Sequence, residues 1–381
     1  MKVIRVLQVF TIMNRGGAES MIMNYYRNID RTKVQFDFLV HRIERGAFDD
    51  EIESLGGNIF RMLPITLKGL KVYQNELELF FKKHNEYTIV HSHLNALSKY
   101  VLRMAMEFGI NTRIAHSHIA LAKFSYQSFF KSDISFKEKF KILLKSYIKK
   151  SITKYATHYF ACGRDAGVWL FGKENIEKVI VINNAIDTSK FEFNKYKSIE
   201  NKESLGLKDK IVVGHIGRFN LQKNHDFLID VFKEINKINS NSVLLLIGEG
   251  DLKETLIKKV KRLKLDDSVC FLGIQSDIPF YLQAMDVFLF PSLYEGLPVT
   301  LIEAQASGLK IIASDTISQE AKLTSLVEFI SLNQSAVFWA KKVLQYNTGY
   351  NREGQFESIS NKGYDIKVNA LSLQNFYREN I

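Results

Sequence analysis

At 381 residues, with 46% hydrophobic and 24% charged side chains and no low-complexity tract, the chain exceeds one typical domain and is too apolar for disorder, so two globular domains are expected. No apolar run approaches the ~20 residues that span a bilayer, no signal-peptide pattern opens the chain, and Cys162 and Cys270 stand alone in apolar runs, which argues against membrane helices, disulfides and a cysteine zinc site and for a cytoplasmic protein. The net charge of +11 is lopsided: residues 1–190 hold 29 Lys+Arg against 18 Asp+Glu, whereas residues 191–381 hold 23 of each, so the first half has the charge to meet a polyanionic surface, nucleic acid or anionic lipid.

Strand-like runs at 3–10, 35–40, 88–91, 113–116, 157–162 and 179–182 alternate with helix-length amphipathic stretches, the pattern of βαβ units in a parallel sheet. The first run leads into TIMNRGGAES, where Gly16 and Gly17 permit close backbone approach to a ligand just before a helix, or form an ordinary strand-to-helix turn. HSHLN at 91–95 and HSHIA at 116–120 each follow a strand, which makes His93, His116 and His118 candidates for a site.

The segment 123–154 carries nine Lys and two acidic residues. It sets Phe136, Phe140, Leu143, Leu144, Tyr147 and Ile148 on one helical face, a pattern that fits either a surface helix packed on the core or an interfacial membrane helix. Nucleic acid fits less well, because no reading motif accompanies the charge.

A polar stretch at 187–210 separates this series from a second one. Its strands are IVVGHIG at 211–217, VLLLIG, SVCFLG, DVFLFP and KIIAS, each followed by a helical pattern. The expected architecture is α/β, with two doubly wound, Rossmann-like domains facing one another across a ligand cleft. Residues 1–190 form the first domain, 191–360 the second, and 361–381 a closing helix.

The chemistry-bearing residues fall where such sheets bind ligands. Arg218 and Lys223 follow IVVGHIG, a planar fork and a point charge suited to phosphate oxygens. In DVFLFPSLYEGLPVTLIEAQASG, Pro298 suits the first turn of a helix, so Glu295 lies in the loop and Glu303 on the helix. The backbone amides of Gly296, Leu297, Pro298, Val299 and Thr300 surround that helix start; those with a free N–H, together with the helix dipole, would face an anion, with a carboxylate on either side to accept from sugar hydroxyls. No Asp-x-Asp pair stands at a strand end, and G-x-G-x-x-G is absent from the sequence, which weakens a dehydrogenase reading.

This segment resembles the glutamate-pair motif of the glycosyltransferase family 4 enzymes, which include bacterial capsular and exopolysaccharide transferases. GGAE at 16–19, VINNAID at 181–187, GRFNLQKN and LLIGEGDL resemble that family in the same order, so the likeness spans nearly the whole chain. The resemblance implies the GT-B fold, a retaining and metal-independent transfer, and no cofactor beyond the nucleotide-sugar donor, for which a UDP-sugar is expected. It implies that Glu303 binds the donor ribose, Glu295 lies near the transferred hexose or N-acetylhexosamine, Arg218 and Lys223 hold the diphosphate, and Gly16 and Gly17 belong to a loop closing over the donor. It further selects His116 as the histidine beside the donor sugar, and returns the final helix to the first domain.

Two departures stand out: Asn184 is followed by Ala185 where Asn-Gly is usual, and LPVT replaces a glycine-rich run. The acceptor expected is a polysaccharide or lipid-linked oligosaccharide at the inner face of the cytoplasmic membrane, reached through 123–154. The same scaffold would also serve a nucleotide-sugar 2-epimerase or a phosphorylase, and a membrane-binding module with a degenerate donor site is the non-enzymatic alternative.

Overall fold

A computed structural model describes residues 3–66, 69–118, 149–295, 297–346 and 349–381. The chain divides into two compact units, Met1–Ala185 with Ile366–Ile381, and Ile186–Asp365. The divisions thus fall at 185/186 and 365/366 rather than at 190/191 and 360/361. The difference at the first crossing is physical: Ile186 pairs with Asp365 as an isolated parallel bridge, and Thr188 donates to the Asp365 carboxylate at 3.0 Å, so residues 186–190 and 361–365 are fastened to each other within the second unit.

The first unit is built on a seven-stranded parallel sheet of order β3-β2-β1-β4-β5-β6-β7. Its strands are β1 Ile4–Phe10, β2 Val34–Val40, β3 Ile59–Arg61, β4 Ile89–Ser92, β5 Thr112–Ser117, β6 His158–Ala161 and β7 Val179–Val181. A parallel sheet covered on both faces needs apolar residues at successive positions, which is why β1 and β2 read as near-continuous hydrophobic runs. In β1, Val6 and Phe10 enter the core with helix Gly17–Asn28, while Leu7 and Val9 enter the opposite core with helices Leu70–Lys83 and Ser98–Glu107.

The last helix, Ile366–Glu379, belongs to this unit. Ile366, Ala370, Leu373 and Tyr377 recur at helical spacing and are buried on the β1 core with Tyr25 and Phe36. A burial of this kind contributes roughly 1.5–3 kcal/mol for each large apolar side chain.

The second unit carries a six-stranded parallel sheet of order β10-β9-β8-β11-β12-β13. Its strands are β8 Ile211–Ile216, β9 Ser242–Ile247, β10 Val269–Gly273, β11 Val287–Phe290, β12 Lys310–Ser314 and β13 Val327–Ile330. Helix His225–Ile238 shows the expected amphipathic spacing, with Leu228, Ile229, Phe232 and Ile235 buried against the sheet. The edge strands β3 and β13 escape sequence reading because each has only three or four residues and an incomplete apolar run. Among the described residues no helix is long and apolar enough to cross a membrane.

Candidate active site

In the second unit the charged residues gather at the carboxyl ends of β8 and β11, adjacent strands where the strand order reverses. After β8, Asn220 caps a single 3-10 turn, Leu221–Lys223, by accepting from the Lys223 amide at 3.2 Å. Asn224 then adopts a left-handed conformation and donates to the Pro291 carbonyl at 3.1 Å. Gln222 accepts from the Leu293 amide at 2.8 Å and donates to the Tyr294 carbonyl at 3.0 Å. These bonds lock the loop after β8 to the loop after β11.

The consequence is that Lys223 Nζ lies 2.8 Å from Glu295 Oε1, with side chains only 15% and 9% exposed. Gln222 donates to the second carboxylate oxygen at 3.1 Å, and the Lys223 ammonium sits 4.8 Å from the centre of the Phe290 ring. Arg218 differs: its guanidinium is 69% exposed and its acidic neighbour, Asp251, is 4.0 Å away and still more exposed, a pair of little energetic weight. Two glycines of LLIGEG hold β9 against this loop. A Cβ on Gly248 would run into the Gly217 carbonyl and one on Gly250 into the Phe219 carbonyl, and both glycines have positive φ.

Helix Val299–Ala306 follows β11. Pro298 precedes it by one residue, with extended backbone (φ −74°, ψ 118°), rather than occupying its first turn. Its carbonyl accepts the Leu301 amide at 3.1 Å and so opens the helix from outside. No side chain caps this end and no acidic residue lies in the first turn, while the buried Thr300 hydroxyl has no hydrogen-bond partner among the described residues. Leu297 is buried, and Gly296 lies outside the described residues.

Gln305 fixes the helix in place: it donates to the Leu301 and Ala321 carbonyls at 3.0 and 2.9 Å and accepts from the Leu323 and Thr324 amides, both at 2.9 Å. Glu303 projects from this anchored helix, and burial pushes its carboxyl up to about 7.

In the first unit Gly16 is the extended residue before helix Gly17–Asn28. A Cβ on Gly17 would meet no protein atom within 4 Å, so packing inside the unit does not demand a glycine there. The Glu19 carboxylate folds back over Gly16, and burial raises its pKa.

At the ends of β4 and β5 stand four histidines with largely parallel rings, His91, His93, His116 and His118. His91 and His116 are joined between Nε2 and Nδ1 at 3.1 Å, and His93 and His118 between Nδ1 and Nε2 at 2.7 Å. Desolvation holds His91, His93 and His116 well below the usual imidazole range, and drops His118 to about 3.

Comparison with known proteins gives this geometry a family. Residues 197–325 match the family described as glycosyl transferases group 1. EpsF of Bacillus subtilis, named a glycosyltransferase, is 35% identical over 98% of this chain and 96% of its own. The chain belongs to the group 1 glycosyltransferases.

A galactosyltransferase of Escherichia coli, named for moving galactose from UDP-Gal to GlcNAc-diphosphoundecaprenol, is 36% identical to this glycosyltransferase over 36% of this chain and 37% of its own. The crystal structure of Anabaena HepE in complex with UDP superimposes with a TM-score of 0.75 at 16% identity, covering 99% and 100% of the two chains, which shows the same fold of two parallel-sheet, Rossmann-like domains.

Within the glycosyltransferase, then, Lys223 and Glu295 are in direct contact, Glu303 occupies the helix that follows the Glu295 loop, and Arg218 is an exposed side chain beside Asp251. Sequence reasoning missed Gln222, which supports Glu295, and Gln8 and Tyr377, which support the histidines. A glutamine in the middle of the apolar run IRVLQVF was the available signal. His91, His93 and His116 place one nitrogen each within 4.8 Å of one another, the makings of a metal centre. The facing nitrogens of His91 and His116 are, however, already spent on a ring-to-ring hydrogen bond, and among the described residues no carboxylate joins the group to offset a divalent charge. The segment 123–148 lies outside the described residues; of its basic continuation, Lys149 stacks over the Trp169 ring at 5.5 Å.

Proposed function

We propose that this glycosyltransferase retains anomeric configuration while moving a hexose or N-acetylhexosamine from a UDP-sugar to a polysaccharide or lipid-linked oligosaccharide acceptor, without metal or other cofactor. The observation that carries the reading is the Lys223–Glu295 pair, held at 2.8 Å between two cross-braced loops beside an uncapped helix start. One ligand bearing both phosphates and hydroxyls can use a cation, a carboxylate and free amides in such proximity, and few others can. In this reading Arg218, Lys223 and the free amides among Gly296 to Thr300 bind the diphosphate and stabilise charge on the leaving group, a task that needs no Lewis acid. Glu303 accepts from the ribose hydroxyls and Glu295 from the sugar. Gly16, Gly17 and His116 act on the same donor, as the family resemblance implies.

The name of the galactosyltransferase supports a lipid-linked saccharide acceptor, and the UDP bound to HepE supports a uridine donor. Work at the inner face of the cytoplasmic membrane, through an anionic surface meeting 123–154, completes the proposal. It is tested with a panel of nucleotide sugars scored for thermal stabilisation and slow donor hydrolysis, followed by transfer assays with and without EDTA. Stabilisation by a UDP-sugar and turnover that survives EDTA are expected. No stabilisation by any nucleotide sugar at millimolar concentration would overturn the donor reading, and activity abolished by EDTA and restored by magnesium or manganese would overturn the metal-independent one.

A further inference from the structure

In the unit made of residues 1–185 and 366–381, six side chains form one hydrogen-bonded circuit whose direction is fixed at a single residue. The Gln8 side-chain oxygen faces His93 Nε2 at 2.8 Å, so that nitrogen carries the proton and His93 Nδ1 is a lone pair, accepting from His118 Nε2 at 2.7 Å. The Gln8 nitrogen donates to the Tyr377 hydroxyl oxygen at 3.2 Å, and the hydroxyl is then free to donate to His91 Nδ1 at 2.7 Å. His91 must therefore carry its proton on Nε2 and pass it toward His116 Nδ1 at 3.1 Å. This leaves His116 with Nε2–H. That nitrogen is buried on a fully buried residue and has no acceptor among the described residues. A buried donor left without an acceptor is destabilised, and a bound acceptor would relieve this.

We propose that Gln8 and Tyr377 are positioning residues that hold His116 in the Nε2–H tautomer, making it a neutral hydrogen-bond donor to an oxygen of the transferred sugar instead of a proton-accepting base. The identity of the ligand rests on the donor-sugar reading given above; the direction of the circuit does not. Neither Gln8 nor Tyr377 touches the sugar. Gln8 sits within β1 and Tyr377 on the last helix, so the helix contributes to the chemistry through the histidines.

The experiment is nitrogen-15 NMR of the imidazoles in the full chain, with His116 assigned by the signals lost in His116→Gln. The wild type is expected to show protonated Nε2 and unprotonated Nδ1 at His116. Gln8→Glu replaces the amide with an acceptor, which draws the Tyr377 proton to itself and reverses the chain, so His116 is expected to carry its proton on Nδ1 and kcat/KM to fall about tenfold, the loss of one hydrogen bond. Tyr377→Phe removes the donor to His91 Nδ1 and is expected to give a mixture of His116 tautomers, which keeps the test open should the first variant fold poorly. His116→Gln, whose amide nitrogen still donates, should retain more turnover than His116→Glu, which only accepts. An Nδ1–H tautomer in the wild type, or a His116 tautomer unmoved by both variants, would overturn the proposal. The expected tautomers combined with full turnover in His116→Leu would instead overturn the sugar contact and leave the positioning circuit standing.

Discussion

Acidification should separate the two units. His91, His93 and His116 are desolvated with their pKa values far below that of an exposed imidazole, so they stay neutral in the folded chain while the unfolded chain protonates near 6.5. The unfolded state therefore binds more protons below pH 6.5, and stability present above that pH is lost as pH falls. Between pH 7.5 and 5.5 each ring costs ~1.4 kcal/mol, about 4 kcal/mol for the three; His118, held at about 3, adds a fourth contribution of the same size, and His41 and His158 act in the same direction.

The second unit has opposing contributions. His215 and His225, also depressed by burial, cost about 3 kcal/mol together, but Glu303, raised to about 7, takes up its proton in the folded state first and returns up to ~2 kcal/mol over the same range. Each unit holds one of the two tryptophans, Trp169 in the first and Trp339 in the second. Urea unfolding followed by fluorescence in Trp339→Phe and Trp169→Phe variants therefore reports each unit alone. The midpoint seen by Trp169 should fall steeply with acid and that seen by Trp339 only slightly. If both report one transition, the summed loss should still reach several kcal/mol. A change under about 1 kcal/mol at Trp169 would refute the neutral, buried state of the histidines.

Glu303 accepts from ribose hydroxyls more strongly when ionised, so UDP affinity should tighten as pH rises from 6 to 8 and Glu303→Gln should flatten that profile, as isothermal titration can check. Glu303→Ala should mainly raise the donor dissociation constant, whereas Lys223→Ala should mainly lower kcat, because leaving-group charge grows in the transition state; a Lys223→Ala effect confined to KM would contradict the assignment. Asp37 is fully buried and accepts from Arg5, from the Tyr87 hydroxyl at 2.7 Å and from the Asn58 amide at 2.7 Å, so Asp37→Ala should cost roughly 3–5 kcal/mol in the Trp169 transition by stranding these groups. Sedimentation with anionic vesicles should weaken as salt rises and in a variant with Lys141, Lys145 and Lys149 changed to Gln, while donor affinity holds; failure of the wild type to sediment at low salt would leave the acceptor a soluble saccharide.

Much of this protein is written locally. Apolar runs such as VQFDFLV and SVLLLI must be buried on both faces, and that requirement alone dictates parallel sheets in two series. The strand-end positions of Arg218, Lys223, Glu295 and Glu303 were legible because a site at strand ends is a consequence of the topology, and two separate short strings, one after β8 and one after β11, carry them in pairs. The tertiary structure decided what depends on partners distant in sequence. Lys223 and Glu295 are 72 residues apart, and only the packing of β8 beside β11, braced by Gln222 and Asn224, turns two separate charges into one ion pair. Sequence places Glu303 on the helix after β11, but not the burial that raises its pKa, an effect of surrounding atoms that no linear spacing encodes. Gln8 and Tyr377 lie 369 positions apart. They meet because the last helix packs onto the β1 face of the sheet, so the direction of the histidine circuit is a property of the folded chain and of no segment within it.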